Sequence, residues 1–414
     1  MSKLRNTRNY VRIGAALAIV GTAPTLVHAA IADAMTSGKS VWDFRLRDEN
    51  VDDDAPAAKA LKQANAVTLR SRLTYTSGIW EDFVAVGEFD NVSEVVDSHY
   101  NDTINGKTEY SNISDPVGTE VNQAFISYYG LKGTLIGWGR QRINLDNQRF
   151  VGGAAWRQNE QTYDAFTVDY KGIKQTRIYY AFINNANRVF GESSASGDDP
   201  QHTHILNATY MGLPVGTVTA YLYNFDDEGL PTFGNRTMGV RAAGTVSPFN
   251  YTLEYAAQRE AGDNPTKYDA KYYLVQAGYA KGDYGISLAQ EKLGADHSDG
   301  NKGMFITPYA TLHAFQGWAD KFLNGGLGNI EQGIIDSYLV LTANVAGLKT
   351  SLNYHSYKAD ESTSTIDKLG KEWGVEVAKQ FNNNYGLALK YASYKADDFS
   401  WDTNKVWLTA TAKF

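Results

Sequence analysis

The chain has 414 residues, 43% of them hydrophobic and 13% aromatic, with 27 tyrosines, no cysteine and a formal charge of −7. The missing cysteines exclude thiolate metal sites and thiol nucleophiles, and the acidic balance argues against a nucleic-acid partner. The length would suit two or three soluble domains. Yet a period of two runs along almost the whole sequence, and no long apolar stretch follows the amino terminus. A chain reads this way when lipid-facing residues alternate with polar ones.

Lys3, Arg5, Arg8 and Arg12 precede a short apolar run, Ile13 to Val20, and Val27-His28-Ala29 has the small residues of a cleavage site. That order is a secretory signal over 1–29, and its apolar run is too short to span a bilayer. Removing it takes away those four basic residues and no acidic one, which moves the formal charge from −7 to −11. The remainder, 30–414, is expected to be one β-barrel domain.

Eighteen alternating segments follow. In the first, 40–48, Trp42, Phe44 and Leu46 share one face and Asp43, Arg45 and Arg47 the other. In the second, 66–76, Val67, Leu69, Leu73 and Tyr75 oppose Thr68, Arg70 and Arg72. Further strands are expected at 80–90, 119–130, 133–142, 161–170, 174–184, 203–212, 215–225 and 235–246. The series continues at 249–259, 268–280, 283–292, 334–346, 348–358, 371–381, 385–395 and 404–414. In the last strand Val406, Leu408, Ala410, Ala412 and Phe414 share a face.

Short links such as Ser77-Gly78, Lys171-Gly172 and Ala346-Gly347 alternate with long polar ones at 49–65, 91–118, 143–160, 185–202 and 293–333. Short periplasmic turns, long outer loops and an even strand count belong to a transmembrane antiparallel barrel. Merging two segments would give sixteen strands, the alternative. A soluble sandwich or propeller would bury its apolar face and turn the polar one to water. It has no use for the mid-strand charges Arg70, Arg241, Glu254, Glu376 and Lys390.

Polar lumen groups select what a barrel passes. Arg45, Arg47, Arg70 and Arg72 have one inward phase on neighbouring strands and could form a ladder suited to carboxylate or phosphate, since guanidinium forks onto two oxygens. They could equally be wall structure, paired with Asp43 and Glu88. A second group lies in 137–165, where Arg140, Arg142, Arg149 and Arg157 are balanced by Asp146 and Asp164. That stretch is too polar for lipid, and Gly152-Gly153-Ala154-Ala155 permits close backbone packing. We expect it to fold into the lumen and narrow it.

The final strand ending on Phe414 resembles the end of Gram-negative outer-membrane barrels. Gly139-Arg140-Gln141-Arg142 with Asp146, then Trp156-Arg157-Gln158-Asn159 and Thr162-Tyr163-Asp164-Ala165-Phe166, resemble the alginate export family of porins. Pro308 to Leu323 is similar to a long outer loop of that group, and Trp42 to Arg47 with Leu69 to Arg72 also fits. The resemblance implies a monomeric eighteen-stranded barrel whose Arg-lined and acid-lined lumen passes an anionic polysaccharide. It makes Arg140, Arg142, Asp146 and Arg157 candidate constriction residues. The acidity of this chain departs from that picture.

Within 293–333, Leu312, Phe315, Trp318, Ala319 and Phe322 have near-helical spacing, with His313, Gln316, Asp320 and Lys321 on other faces. His313 and Asp320 join the expected solute pathway. Asp52-Asp53-Asp54 reads as a solvated acidic loop, and His202 with His204 lacks a third metal ligand. No cofactor or metal is expected. The expected partners are outer-membrane lipid and lipopolysaccharide, the barrel-assembly machinery and small polar or anionic solutes. The alternative to a channel is an outer-membrane enzyme, with His313 or His355 as base, or an adhesin acting through its loops.

Overall fold

The computed structural model describes residues 25–57, 61–300 and 302–414. Most of the expected signal lies outside the described residues. The expected cleavage site falls in a helix, α1 (Thr25–Thr36). The strands are β1 (Lys39–Asp53), β2 (Ala64–Thr76), β3 (Phe83–Glu94), β4 (Gly118–Tyr128), β5 (Thr134–Gln141), β6 (Thr162–Tyr170) and β7 (Thr176–Asn187). They continue with β8 (Asp198–Leu213), β9 (Gly216–Phe225), β10 (Asn235–Val246), β11 (Phe249–Glu260), β12 (Asp269–Lys281) and β13 (Tyr284–Leu293). Two-residue strands β14 (Ala295–Asp296) and β15 (Gly303–Met304) pair with each other inside the next loop. The wall resumes with β16 (Ile334–Val345), β17 (Leu348–Lys358), β18 (Lys368–Gln380), β19 (Tyr385–Lys395) and β20 (Thr403–Lys413).

Eighteen of these strands form one antiparallel sheet, each beside its neighbours in the chain. It closes because β1 pairs with both β2 and β20. Closure leaves no unpaired edge, the condition for a sheet to sit in lipid.

Alternation sorts the side chains. Trp42, Leu253, Tyr255, Leu288, Leu389 and Leu408 are exposed on the outer face, where lipid covers them. On the inner phase Arg70, Glu254 and Lys390 are buried. The alternative, an Arg or Lys facing the bilayer midplane, costs about 2–4 kcal/mol. The interior has two characters. Against β6–β13 it is an aromatic core that includes Phe150, Tyr221, Tyr272, Phe305 and Tyr309. Against β1–β4 it is charged, with Arg47, Glu49, Arg70, Arg72, Glu88 and Asp90 buried.

The structure departs from the sequence expectations in two respects. β1, β3, β7 and β8 run on through 49–53, 91–94, 185–187 and 198–202, which were expected as loop. Most residues of these extensions are polar, with Val51 an exception on the inner face, so hydrophobic alternation gives little signal there. The near-helical spacing over 310–323 produces no α-helix; the stretch is a loop with a single 3-10 turn, Leu312–Ala314. Gln316, Gly317 and Asp320 have φ of 57°, 84° and 58°, values that a right-handed helix cannot contain.

Candidate functional site

The 142–161 segment begins where β5 stops. Gly139 has φ of 122° and sits against the Ala124 carbonyl, so a side chain there would be strained and crowded. The segment then contacts inner-face residues on opposite walls. On one side, Arg45 donates through Nε to Gln158 Oε1 at 2.9 Å and through Nη1 to the Ala155 carbonyl at 2.9 Å. It also donates to the Arg157 carbonyl. Arg47 donates to the Trp156 carbonyl at 2.8 Å, and its guanidinium lies 4.1 Å from the Trp156 ring centre. Gln158 Nε2 reaches Thr68 Oγ1 on β2 at 2.9 Å. On the other side, Arg149 Nε is 2.8 Å from Glu291 on β13. The Phe150 ring meets Tyr221 at 5.5 Å and Tyr272 at 5.2 Å. Asp146, Gln148 and Ala154 have φ of 50°, 64° and 48°. Non-glycine residues hold such values only where surrounding contacts over-determine the backbone.

The 294–333 loop locks onto this segment. Gly152 N–H donates to the Tyr309 carbonyl at 2.9 Å and Thr311 N–H to the Gln148 carbonyl at 3.0 Å. His313 stacks on Trp156 with centroids 4.0 Å apart and planes 7° from parallel. Trp407 of β20 meets His313 edge-on at 5.5 Å. His313 Nδ1 lies 2.9 Å from Asp320, whose other oxygen takes Lys405 Nζ at 2.9 Å. Lys390 Nζ sits 4.1 Å from the Trp156 ring and 4.2 Å from Trp318, and pairs with Glu376 at 3.0 Å.

Burial decides the protonation of these loop groups. Burial pushes His313 down to about 3, against the pull of Asp320, so it is neutral. Burial alone would raise Asp320, but His313, Lys405 and Arg157 hold it below the usual carboxylate range. Lys321 is lowered to about 8 by burial despite Asp53 at 3.6 Å. Burial would raise Glu160 too, yet Arg72 and Arg142 keep it ionised.

The expected site residues separate into groups. Arg45 and Arg70 face each other in register, as do Asp43 and Arg72. Arg70 pairs with Asp43. Arg72 takes Asp90 at 2.5 Å and Glu160 at 3.0 Å. Arg142 joins the same network through Glu88 and, at 2.5 Å, Glu160. Arg157 lies 3.0 Å from Glu49 and 3.5 Å from Asp115. Asp146 accepts Asn207 Nδ2 at 2.8 Å on the inner side of β8.

Two expectations need correction. Arg140 and Asp164 are not lumen groups. They share the phase of exposed Trp138 and Phe166, pair at 2.9 Å, and Arg140 also meets Glu192 at 3.0 Å. Arg140 and Arg142 looked alike because they are two apart, but β5 ends at Gln141 and only Arg142 turns inward with the loop. Arg149 is 1% exposed, tied to Glu291 and set over Phe315, so it is packed within the wall and not open to the lumen.

Reading the sequence missed Glu160, Trp407, Lys405 and Lys390 as partners. For Lys405 and Trp407 the signal was present: both share the inward phase of Thr409.

Residues 42–389 match the family model described as alginate export. No curated protein matches the chain significantly. Among solved structures it is similar to Pseudomonas aeruginosa OccK3 (OpdO), with a TM-score of 0.68 at 11% identity over 94% of this chain and 99% of that one. It is similar to Acinetobacter baumannii OccAB2, with a TM-score of 0.67 at 14% identity over 92% of this chain and 99% of that one. It is also similar to P. aeruginosa OpdK crystallised with vanillate, with a TM-score of 0.65 at 13% identity over 92% and 99%. At such identities these likenesses speak to the fold, and the family match speaks to descent: the chain belongs to the alginate export family and is a porin-type β-barrel of the bacterial outer membrane.

Proposed function

We propose that the protein is a passive channel for polar solutes that carry negative charge, carboxylates and uronate-like oligosaccharides among them. The observation that carries this reading is Arg45. Its donors go to neutral oxygens of the 142–161 segment, and it forms no ion pair among the described residues. Arg47 beside it is likewise matched by a carbonyl and an indole, not a carboxylate. The other expected lumen arginines are balanced by acids. Two guanidiniums without a directly paired carboxylate at one constriction bias a low-dielectric passage toward anions even when the whole protein is acidic. Arg45 is half-buried and can meet a solute; Arg47 adds its field from behind Trp156. The 142–161 and 294–333 segments act together as the constriction. The crystal of OpdK with an aromatic carboxylate is compatible with this reading.

The test is single-channel recording in a planar bilayer. An oligouronate should interrupt the current at concentrations where a neutral oligosaccharide of equal length does not. Equal block by both would remove the anionic reading and leave the channel. Absence of any conductance step would favour the enzyme or adhesin alternative.

A further inference from the structure

The lipid-facing phase of the wall carries an uneven set of charges at its extracellular end. On β10 and β11, Arg236 and Arg259 continue the outward series of Met238 and Tyr255. On β17 to β19, Lys358, Lys371 and Lys395 continue that of Tyr354, Trp373 and Tyr391. Each cation lies one or two outward positions beyond an apolar or aromatic residue that faces lipid. That is the depth of headgroups, just above the aromatic girdle of an outer-membrane barrel. Lys271 and Lys292 fill the same level on β12 and β13.

These cations oppose one another. Arg236 is in register with Arg259, Lys358 with Lys368, and Lys371 with Lys395. Like charges directly opposite destabilise a sheet. Three carboxylates of this arc are engaged by other lysines: Asp269 by Lys271, Asp360 by Lys292 at 2.5 Å, and Asp402 by Lys395; Asp398 accepts the Lys368 backbone N–H at 3.0 Å. Arg236 has only the neutral Asn224, at 2.9 Å. Arg259, Lys358, Lys368 and Lys371 form no ion pair among the described residues. The opposite arc differs. Asp48, Asn50 and Asp52 of β1, Asn91 of β3 and Asp164 of β6 take the same outward level, and Arg140 there is already paired.

We propose that the arc from β10 to β19 binds a phosphorylated glycolipid of the outer leaflet, with its phosphates seated between the opposed cations. Charge complementarity and headgroup depth select that occupant. Arginine forks onto phosphate oxygens, and the apolar strand surface below receives the acyl chains. The opposite arc, with carboxylates at that level, would repel the same headgroup.

The full protein in detergent tests this by native mass spectrometry with bisphosphorylated lipid A and its dephosphorylated counterpart. The phosphorylated lipid should bind about tenfold or more tightly. The variant Arg236→Gln/Arg259→Gln/Lys358→Gln/Lys371→Gln should lose that preference, while Lys281→Gln/Lys379→Gln, at the periplasmic end, should keep it. Inorganic phosphate at equal concentration should not displace the lipid. Heat-modifiability on gels checks that the variants fold; if the quadruple variant does not, Arg236→Gln/Arg259→Gln is read against the same lipids. Equal binding of the two lipids, or an unchanged preference in the folded variant, would overturn the proposal.

Discussion

Arg45 and Arg149 hold the same segment from opposite sides of the barrel, in opposite surroundings. Arg149 is sealed among Glu291, Thr307 and the Phe315 ring, within the aromatic half of the interior. Arg45 is half-buried and bonded only to neutral oxygens. The first is a fastening: a buried charge matched by a buried charge. The second both fastens the segment and keeps its charge uncompensated. A lumen arginine is therefore not a selectivity residue by location alone. Its counter-ions decide.

The largest effect should follow from breaking the fastening. Arg149→Met leaves Glu291 buried without its partner, which costs about 3–5 kcal/mol. Chemical unfolding in detergent should show that loss, and the open-channel current should become noisy as the segment detaches. A loss below about 1 kcal/mol would mean that the aromatic half does not hold the segment. Phe150→Ala tests the same half without touching charge; truncating a buried aromatic costs about 3–5 kcal/mol.

Acid should loosen the junction between the two loops. His313 has a folded value of about 3 against an ordinary 6.5. Between those values a released loop takes up a proton that the docked loop refuses. Docking is therefore fully stable above about pH 6.5 and weakens as pH falls toward 3. Asp320, held low in the docked state, works in the same direction below its ordinary 3.8. Hydrogen-exchange protection across 305–323, with each rate divided by the intrinsic rate at that pH, should be lower at pH 4.5 than at pH 7 in the parent. His313→Phe should remove the part of this change that sets in below pH 6.5. Protection that is independent of pH would place the control elsewhere.

The smallest effect is expected at Arg140. Its ion pairs with Asp164 and Glu192 are partly exposed at the rim, and exposed pairs contribute about 0–1 kcal/mol. Arg140→Gln should leave ion preference unchanged. A clear shift would bring the rim into the pathway and undo the separation between fastening and selecting arginines.

The wall was legible in the sequence because lipid imposes a strict period of two. Leu253, Glu254 and Tyr255 could be assigned to faces from their order alone. Where strands leave the membrane, as at Glu49 to Asp53, the outer face turns polar and only Val51 keeps an apolar position inside, so the period carries little information. The site was legible only in part. Residues on one strand, such as Arg45 and Arg47, were grouped correctly by parity. Which acid meets which arginine depends on a loop path set by positive-φ residues such as Asp146 and Ala154, which have no local sequence rule. Arg140 shows the cost of reading spacing across a strand end.

The most direct test of the account is the reversal potential of Arg45→Gln in a salt gradient at low ionic strength, where screening is weakest. The account predicts a shift toward cations larger than that of Arg142→Gln, whose charge is shared between Glu88 and Glu160. If Arg45→Gln inserts, conducts and keeps the parent's ion preference, the uncompensated charge on β1 is not the selecting element, and the central claim is contradicted.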